Sequence, residues 1–174
     1  YNDVKVLGPS CTFNNGEVYG PDWNWHYSPQ KIDLDTAVSK FSQIFDKIIY
    51  NETHGKKVIL PISGGLDSRT LAAACAGKEG IQAYGYSFEN GCDESFYGAQ
   101  ISRALGFNFN AYTIKNGYLW NLINEMVKIN QCYTEFTHTR PIAVIDQVKK
   151  LGDTFLLGHW GDVLFESACK LRIP

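Results

Sequence analysis

Residues 57–71 read Lys-Val-Ile-Leu-Pro-Ile-Ser-Gly-Gly-Leu-Asp-Ser-Arg-Thr-Leu, and no other stretch constrains the fold as much. The apolar run Val58 to Ile62 has the length of a buried strand. Ser63 to Ser68 is a glycine turn, and the Ala-rich run to Ala76 is helical until Gly77 stops it. Strand, tight turn and helix in that order place the free N–H groups of a new helix, together with Ser63 and Ser68, around a pocket suited to an anion. The competing reading is a serine-glycine turn that caps an ordinary helix, with Asp67 in its favourable first turn.

The turn is not of the Walker type, because no lysine follows its glycines. Charge on a bound polyphosphate must then be offset by backbone dipoles and a divalent cation, for which Asp67 offers a hard oxygen ligand. Around this turn the chain alternates strand and helix. Gln82 to Phe88 and Phe109 to Ile114 read as strands, and helices begin near Asp93 and Leu119. Pro141 opens a further helix running to Gly152, and Thr154 to Leu157 is a fourth buried strand. That alternation predicts a parallel sheet with right-handed crossovers. If the first strand lies between the second and the fourth, the strand order reverses there. The turns at Ser63 and Gly158 then face one crevice, and Asp67 and Asp162 can share a magnesium ion. The competing reading of Asp162 is the N-cap of a helix through Val163, Leu164 and Phe165, and one residue can do both jobs.

SGGLDS after an apolar strand resembles the pyrophosphate loop of the ATP pyrophosphatases, and its wording is closest to the asparagine synthetase family. Gly158-His159-Trp160-Gly161-Asp162-Val163-Leu164-Phe165 resembles that family's GEGADELF, and the likeness covers roughly Lys31 to Ser167. The resemblance implies a three-layer α/β sandwich of the adenine nucleotide alpha hydrolase-like (PP-loop ATPase) type. It implies the ATP-binding part of a ligase that adenylates a carboxylate, aspartate by default, and releases pyrophosphate before amide formation. ATP and pyrophosphate would lie on Ser63, Gly64, Gly65, Leu66, Asp67, Ser68 and Gly158, with magnesium on Asp67 and Asp162 and the nucleotide pocket reaching Pro61 and Tyr86. His159 stands where the family has a catalytic glutamate, so it either supplies an acid or base of different pKa or hydrogen-bonds within its loop. Trp160 and Val163 also depart from the family, and the alternative is a non-catalytic nucleotide-binding or interaction module.

Residues 1–30, with a hairpin signal at Asn14-Asn15-Gly16 and the aromatic stretch Trp23 to Tyr27, read as a linker to, or remnant of, a glutaminase-like domain. Residues 31–174 read as the ATP-binding domain. They lack the family's C-terminal helical region, and no cysteine nucleophile leads the chain, so the ammonia source is expected elsewhere. Asp33 and Asp35 precede a helix whose Ala37, Val38, Phe41, Ile44, Phe45, Ile48 and Ile49 predict a single buried stripe.

A net charge of -2 with scattered basic residues argues against nucleic acid as a partner, and no apolar run reaches membrane-spanning length. A cytoplasmic protein is expected. Five widely spaced cysteines without a CxxC pair point to neither zinc nor a disulfide framework.

Overall fold

The computed structural model describes residues 5–24, 26, 28–131 and 136–158. The chain divides into two units, residues 1–39 and 40–174. In the first, β1 (Thr12–Asn14) and β2 (Glu17–Tyr19) form an antiparallel hairpin, Thr12 opposite Tyr19. Its two-residue turn needs positive φ twice, which Asn15 at 50° and Gly16 at 85° supply. Asp33 caps the helix that follows. Its Oδ1 accepts from Thr36 N at 2.8 Å and its Oδ2 from the Thr36 hydroxyl at 2.7 Å.

The helix α1 spans Leu34–Thr53. It does not bury the whole predicted stripe. Ile49 is 2% exposed and Phe45 packs against the same core, but Ile44 is 62% and Ile48 50% exposed. Periodicity shows that these residues share a face; how much of that face the sheet covers depends on tertiary packing, and here one edge of the stripe is covered.

Four parallel strands make the sheet: β3 (Val58–Pro61), β4 (Ile81–Phe88), β5 (Asn108–Ile114) and β6 (Thr154–Phe155), in the order β5-β4-β3-β6. The expected arrangement is the one found. In β3, Val58 pairs with Ile81 on one side and Thr154 on the other. Along β3 the side chains alternate between two cores, as a strand buried on both faces requires. Val58, Leu60 and Ile62 meet Ile49 of α1 together with Leu71, Ala72 and Cys75. Ile59 meets Tyr84, Ile114, Val144 and Val148 on the other face. Each such buried aliphatic side chain stabilises the fold by about 2 kcal/mol relative to exposure. Helices therefore cover both faces: α1, α2 (Leu66–Ala74) and α3 (Ser95–Leu105) on the first, α4 (Tyr118–Asn130) and α5 (Ile145–Val148) on the second.

Two differences from the sequence reading have local causes. The helix expected from Pro141 is a 3₁₀ segment, Phe136–Val144, that contains Pro141 and passes into the single turn of α5. The proline has no N–H for an α-helical bond and disfavours helical backbone at the residue before it. The fourth strand is also shorter than Thr154 to Leu157, although Leu156 N still donates to Ile59 O at 3.0 Å. Among the described residues no helix is long and apolar enough to cross a membrane. Cys11, Cys75 and Cys92 are free thiols, and burial pushes the Cys75 thiol up to about 11.

Helix α3 sits unusually close to the sheet because Gly98 and Gly85 leave room for it. A Cβ on Gly98 would lie 2.5 Å from Ile62 O and 2.9 Å from the Phe109 ring. Backbone on one side and a packed ring on the other leave no cheap relaxation. Gly98→Ala is expected to destabilise the chain by about 1–3 kcal/mol, read as a lower urea midpoint with an unchanged slope.

Candidate functional site

Pro61 opens the site. In a parallel strand alternate residues bond to the same neighbour. Ile59 O accepts from Leu156 on the β6 side, whereas Ile62 N donates to Tyr84 O on the β4 side, at 2.8 Å. Pro61 therefore falls on the β6 side with no N–H to give, and β3 and β6 part at their carboxyl ends. This is the point where strand order reverses, and ligand crevices of open parallel sheets lie there.

A cleft of about 490 Å³ occupies the gap. Pro61, Ile62, Ser63, Asp67 and Ser68 form one wall, Phe155, Leu157 and Gly158 another, and Tyr84, Gly85 and Tyr86 the floor toward β4. A Cβ built on Gly158 would lie 3.1 Å from Leu71 Cδ1 and 3.4 Å from Asp67 Cβ. The start of the second loop thus rests on the first turn of α2. His159 and Asp162 lie outside the described residues.

The first loop is held by its own hydroxyls. Ser63 N donates to Ser68 Oγ at 3.2 Å, and Gly65 N donates to Ser63 Oγ at 3.2 Å. Ser68 Oγ donates to Ser63 O at 3.0 Å and lies 3.1 Å from Ser63 Oγ. Since each hydroxyl has one proton, Ser68 spends its own closing the loop. Ser63 can turn its proton toward a ligand without breaking the closure. Gly65 caps α2 with extended backbone and no side-chain bond, so the first-turn amides have no intrahelical acceptor and face a prospective anion. Gly64 and Gly65 shape this loop, and Leu66, 73% exposed, points away from the core.

Several cleft residues escaped the sequence reading. Glu94 brings a second carboxylate, and Pro141 closes one end. Beside the cleft the positive charge of Arg140 acts on Tyr86, and its guanidinium stands 5.9 Å over the Phe88 ring. Burial raises the Tyr86 phenol above its ordinary value, with Arg140 opposing and Glu94 reinforcing the rise. Tyr84 is pushed up to about 12, first by burial and then by Tyr86 and Tyr112. Both phenols stay protonated and uncharged near neutral pH, so they line the cleft without repelling an anion. In the sequence Glu94 looks like one more acid at a helix start; only the path of the loop turns it inward.

Among the described residues no group of three or more His, Cys, Asp or Glu side chains is placed to hold a metal. Magnesium makes a lesser demand, since one or two carboxylates suffice when phosphate oxygens and water complete its shell. Asp67 fits that role.

No protein-family model and no curated protein matches the sequence. Solved structures do. A glutamine-dependent NAD+ synthetase from Acinetobacter baumannii, in complex with ADP, superposes with a TM-score of 0.51 at 17% identity, over 80% of this chain and 28% of that one. An NH3-dependent NAD synthetase from Campylobacter jejuni, in complex with the nitrate ion, has a TM-score of 0.40 at 18% identity, over 69% of this chain and 51% of that one. The chain spans under a third of the first protein and about half of the second. The first likeness shows a shared fold, the parallel α/β sandwich of the PP-loop ATPase type.

The loop before α3 is fastened to β4 by Asp93, whose carboxylate accepts from Ser95 Oγ at 2.6 Å, Ser87 Oγ at 2.8 Å and Ser95 N at 3.1 Å. The bonds from the Ser95 and Ser87 hydroxyls hold its pKa below the ordinary 3.8. A depressed carboxylate contributes stability above its unfolded pKa and loses it as pH falls through the folded one. Asp93→Asn is therefore expected to melt below the native chain at neutral pH, with the gap closing once the pH drops below 3.8. Thermal unfolding of both proteins across pH checks this, and a gap independent of pH would contradict it.

Proposed function

We propose that residues 31–174 are the ATP-binding part of an asparagine synthetase-like ligase. The observation that carries this reading is the meeting of the Ser63–Ser68 loop and Gly158 at Asp67, in the crevice where the strand order reverses. The shared fold of a glutamine-dependent NAD+ synthetase solved with ADP supports a nucleotide in this cleft.

In this reading the acceptor carboxylate attacks the α-phosphorus of ATP, and the bond from that phosphorus to the bridging oxygen breaks. Pyrophosphate leaves, and ammonia or an amine then displaces AMP from the acyl adenylate. The chain's residues do no covalent chemistry in the first step. The first-turn amides of α2 and the Ser63 proton hold the leaving group and offset the charge that develops on it. Gly64, Gly65 and Ser68 keep those donors aimed, and Leu66 continues the loop. Pro61 and Tyr86 border the nucleotide, and Gly158 closes the pocket over Asp67. Asp67, with Asp162 from the second loop, would hold magnesium, which when bound neutralises the phosphate oxygens. His159 takes the acid or base role in the amidation step. Aspartate is the default acceptor, and a glutaminase domain or free ammonia is the nitrogen source.

Titration calorimetry tests the binding half. The chain is expected to bind ATP in the presence of magnesium, and Asp67→Asn to weaken that about tenfold while leaving AMP binding without metal within about twofold. Pyrophosphate release by the natural full-length protein, assayed with a panel of carboxylates, tests the catalytic half. Nucleotide binding without release would leave the non-catalytic module as the function. No binding would remove both.

A further inference from the structure

The glycine at position 64 is explained by a residue the motif does not include. A Cβ there would lie 3.3 Å from both Cβ and Cδ2 of Tyr97 and 3.4 Å from its Cγ. The aromatic side chain of α3 is therefore laid against the bare face of the loop at Gly64. Tyr97 is not core filling: it is 59% exposed, with Phe96 edge-on to it at 5.5 Å and 76°.

Its own position is fixed from two directions. One residue on, Gly98 seats α3 directly on Ile62 O and Phe109. At the helix start, Asp93 and Ser95 tie α3 to Ser87 of β4. A continuous run of rigid parts thus leads from the sheet through α3 to the loop backbone. A loop without a lysine has its amides and the Ser63 hydroxyl to aim at a polyanion, so its grip depends on their being held in place before the ligand arrives.

We propose that Tyr97 is a positioning residue for the pyrophosphate loop, acting through ring contact with Gly64 and without touching the ligand. The effect on ligand rests on the nucleotide reading given above; the effect on the loop does not. The atoms that would crowd a Cβ at Gly64 are Cβ, Cγ and Cδ2, so the packing argument calls on the body of the side chain and not on the hydroxyl.

Hydrogen exchange on the ligand-free chain tests the loop. In Tyr97→Ala the Ser63 and Gly65 amides, which donate to Ser68 Oγ and Ser63 Oγ, should exchange at least about tenfold faster than in the native chain, while Leu71 and Ala72 in α2 keep their protection. Titration with magnesium pyrophosphate and, separately, with AMP tests the consequence. Tyr97→Ala should lose about tenfold or more in pyrophosphate affinity and little in AMP affinity, because small displacements of binding groups cost this much. Tyr97→Phe should behave as native in both experiments. If Tyr97→Ala unfolds, Tyr97→Leu, which restores bulk without a ring plane, is measured in its place and should fall between Ala and Phe. Unchanged exchange in the truncated variant overturns the proposal whatever binds. Faster exchange in a protein that never takes up pyrophosphate keeps the buttress and removes the nucleotide reading.

Discussion

One strand with a different neighbour on each side is the constraint on which the molecule depends. Among the described strands, β3 is the one at which the strand order reverses, so the turn just after it can face a second turn arriving from β6. Its central position requires that Val58 to Ile62 be apolar on both faces, and they are buried to within a few per cent except at Pro61. Pro61 then ends the pairing with β6 while Ile62 continues it with β4. The hydrophobic core and the cleft therefore draw on the same five residues: Val58, Ile59, Leu60 and Ile62 hold the layers together, and Pro61 begins the separation.

What the cleft offers follows from what the loop lacks. With no lysine in the turn and with Asp67 and Glu94 both bordering the space, the side-chain charge there is acidic. Attraction for a polyanion must come from oriented amides at the start of α2 and from a cation brought with the ligand. Amide dipoles have fixed directions and short reach, so their contribution is decided by backbone geometry. This is the physical reason that so much of the surrounding structure goes into holding backbone: the serine closure, the aromatic ring, and Asp93 fastening the helix that carries that ring.

The legible part of the sequence was the part written in local chemistry. Strand, turn and helix around Ser63 follow from composition and spacing, and the parallel sheet follows from the alternation of elements; the place of β3 between β4 and β6 was one arrangement that alternation allows. Gly106 at φ 75° and Gly77 at φ 71° stop helices where glycine predicts they should. The illegible part needed distances between segments far apart in the chain. The α1 stripe is correctly periodic, but its Ile44 and Ile48 find no cover among the described parts of the sheet. Glu94 and Pro141 reach the cleft because of the paths of their connections. The 3₁₀ course of Phe136–Val144 results from Pro141 interrupting a pattern that otherwise reads as helix.

The glycines show how a correct motif can carry an incomplete reason. A glycine-rich turn is usually read as room for a ligand to approach the backbone. Here the Cβ direction at Gly64 points into Tyr97, that at Gly65 toward Ser63 Oγ at 3.3 Å, and that at Gly158 into Leu71 and Asp67. In all three the space a side chain would take is already used by the protein. The bare backbone therefore serves first to let two loops and a helix pack within van der Waals distance. A methyl group at any of the three would displace protein atoms before it could meet a ligand, and the cleft's shape is in this sense a product of packing among the loops.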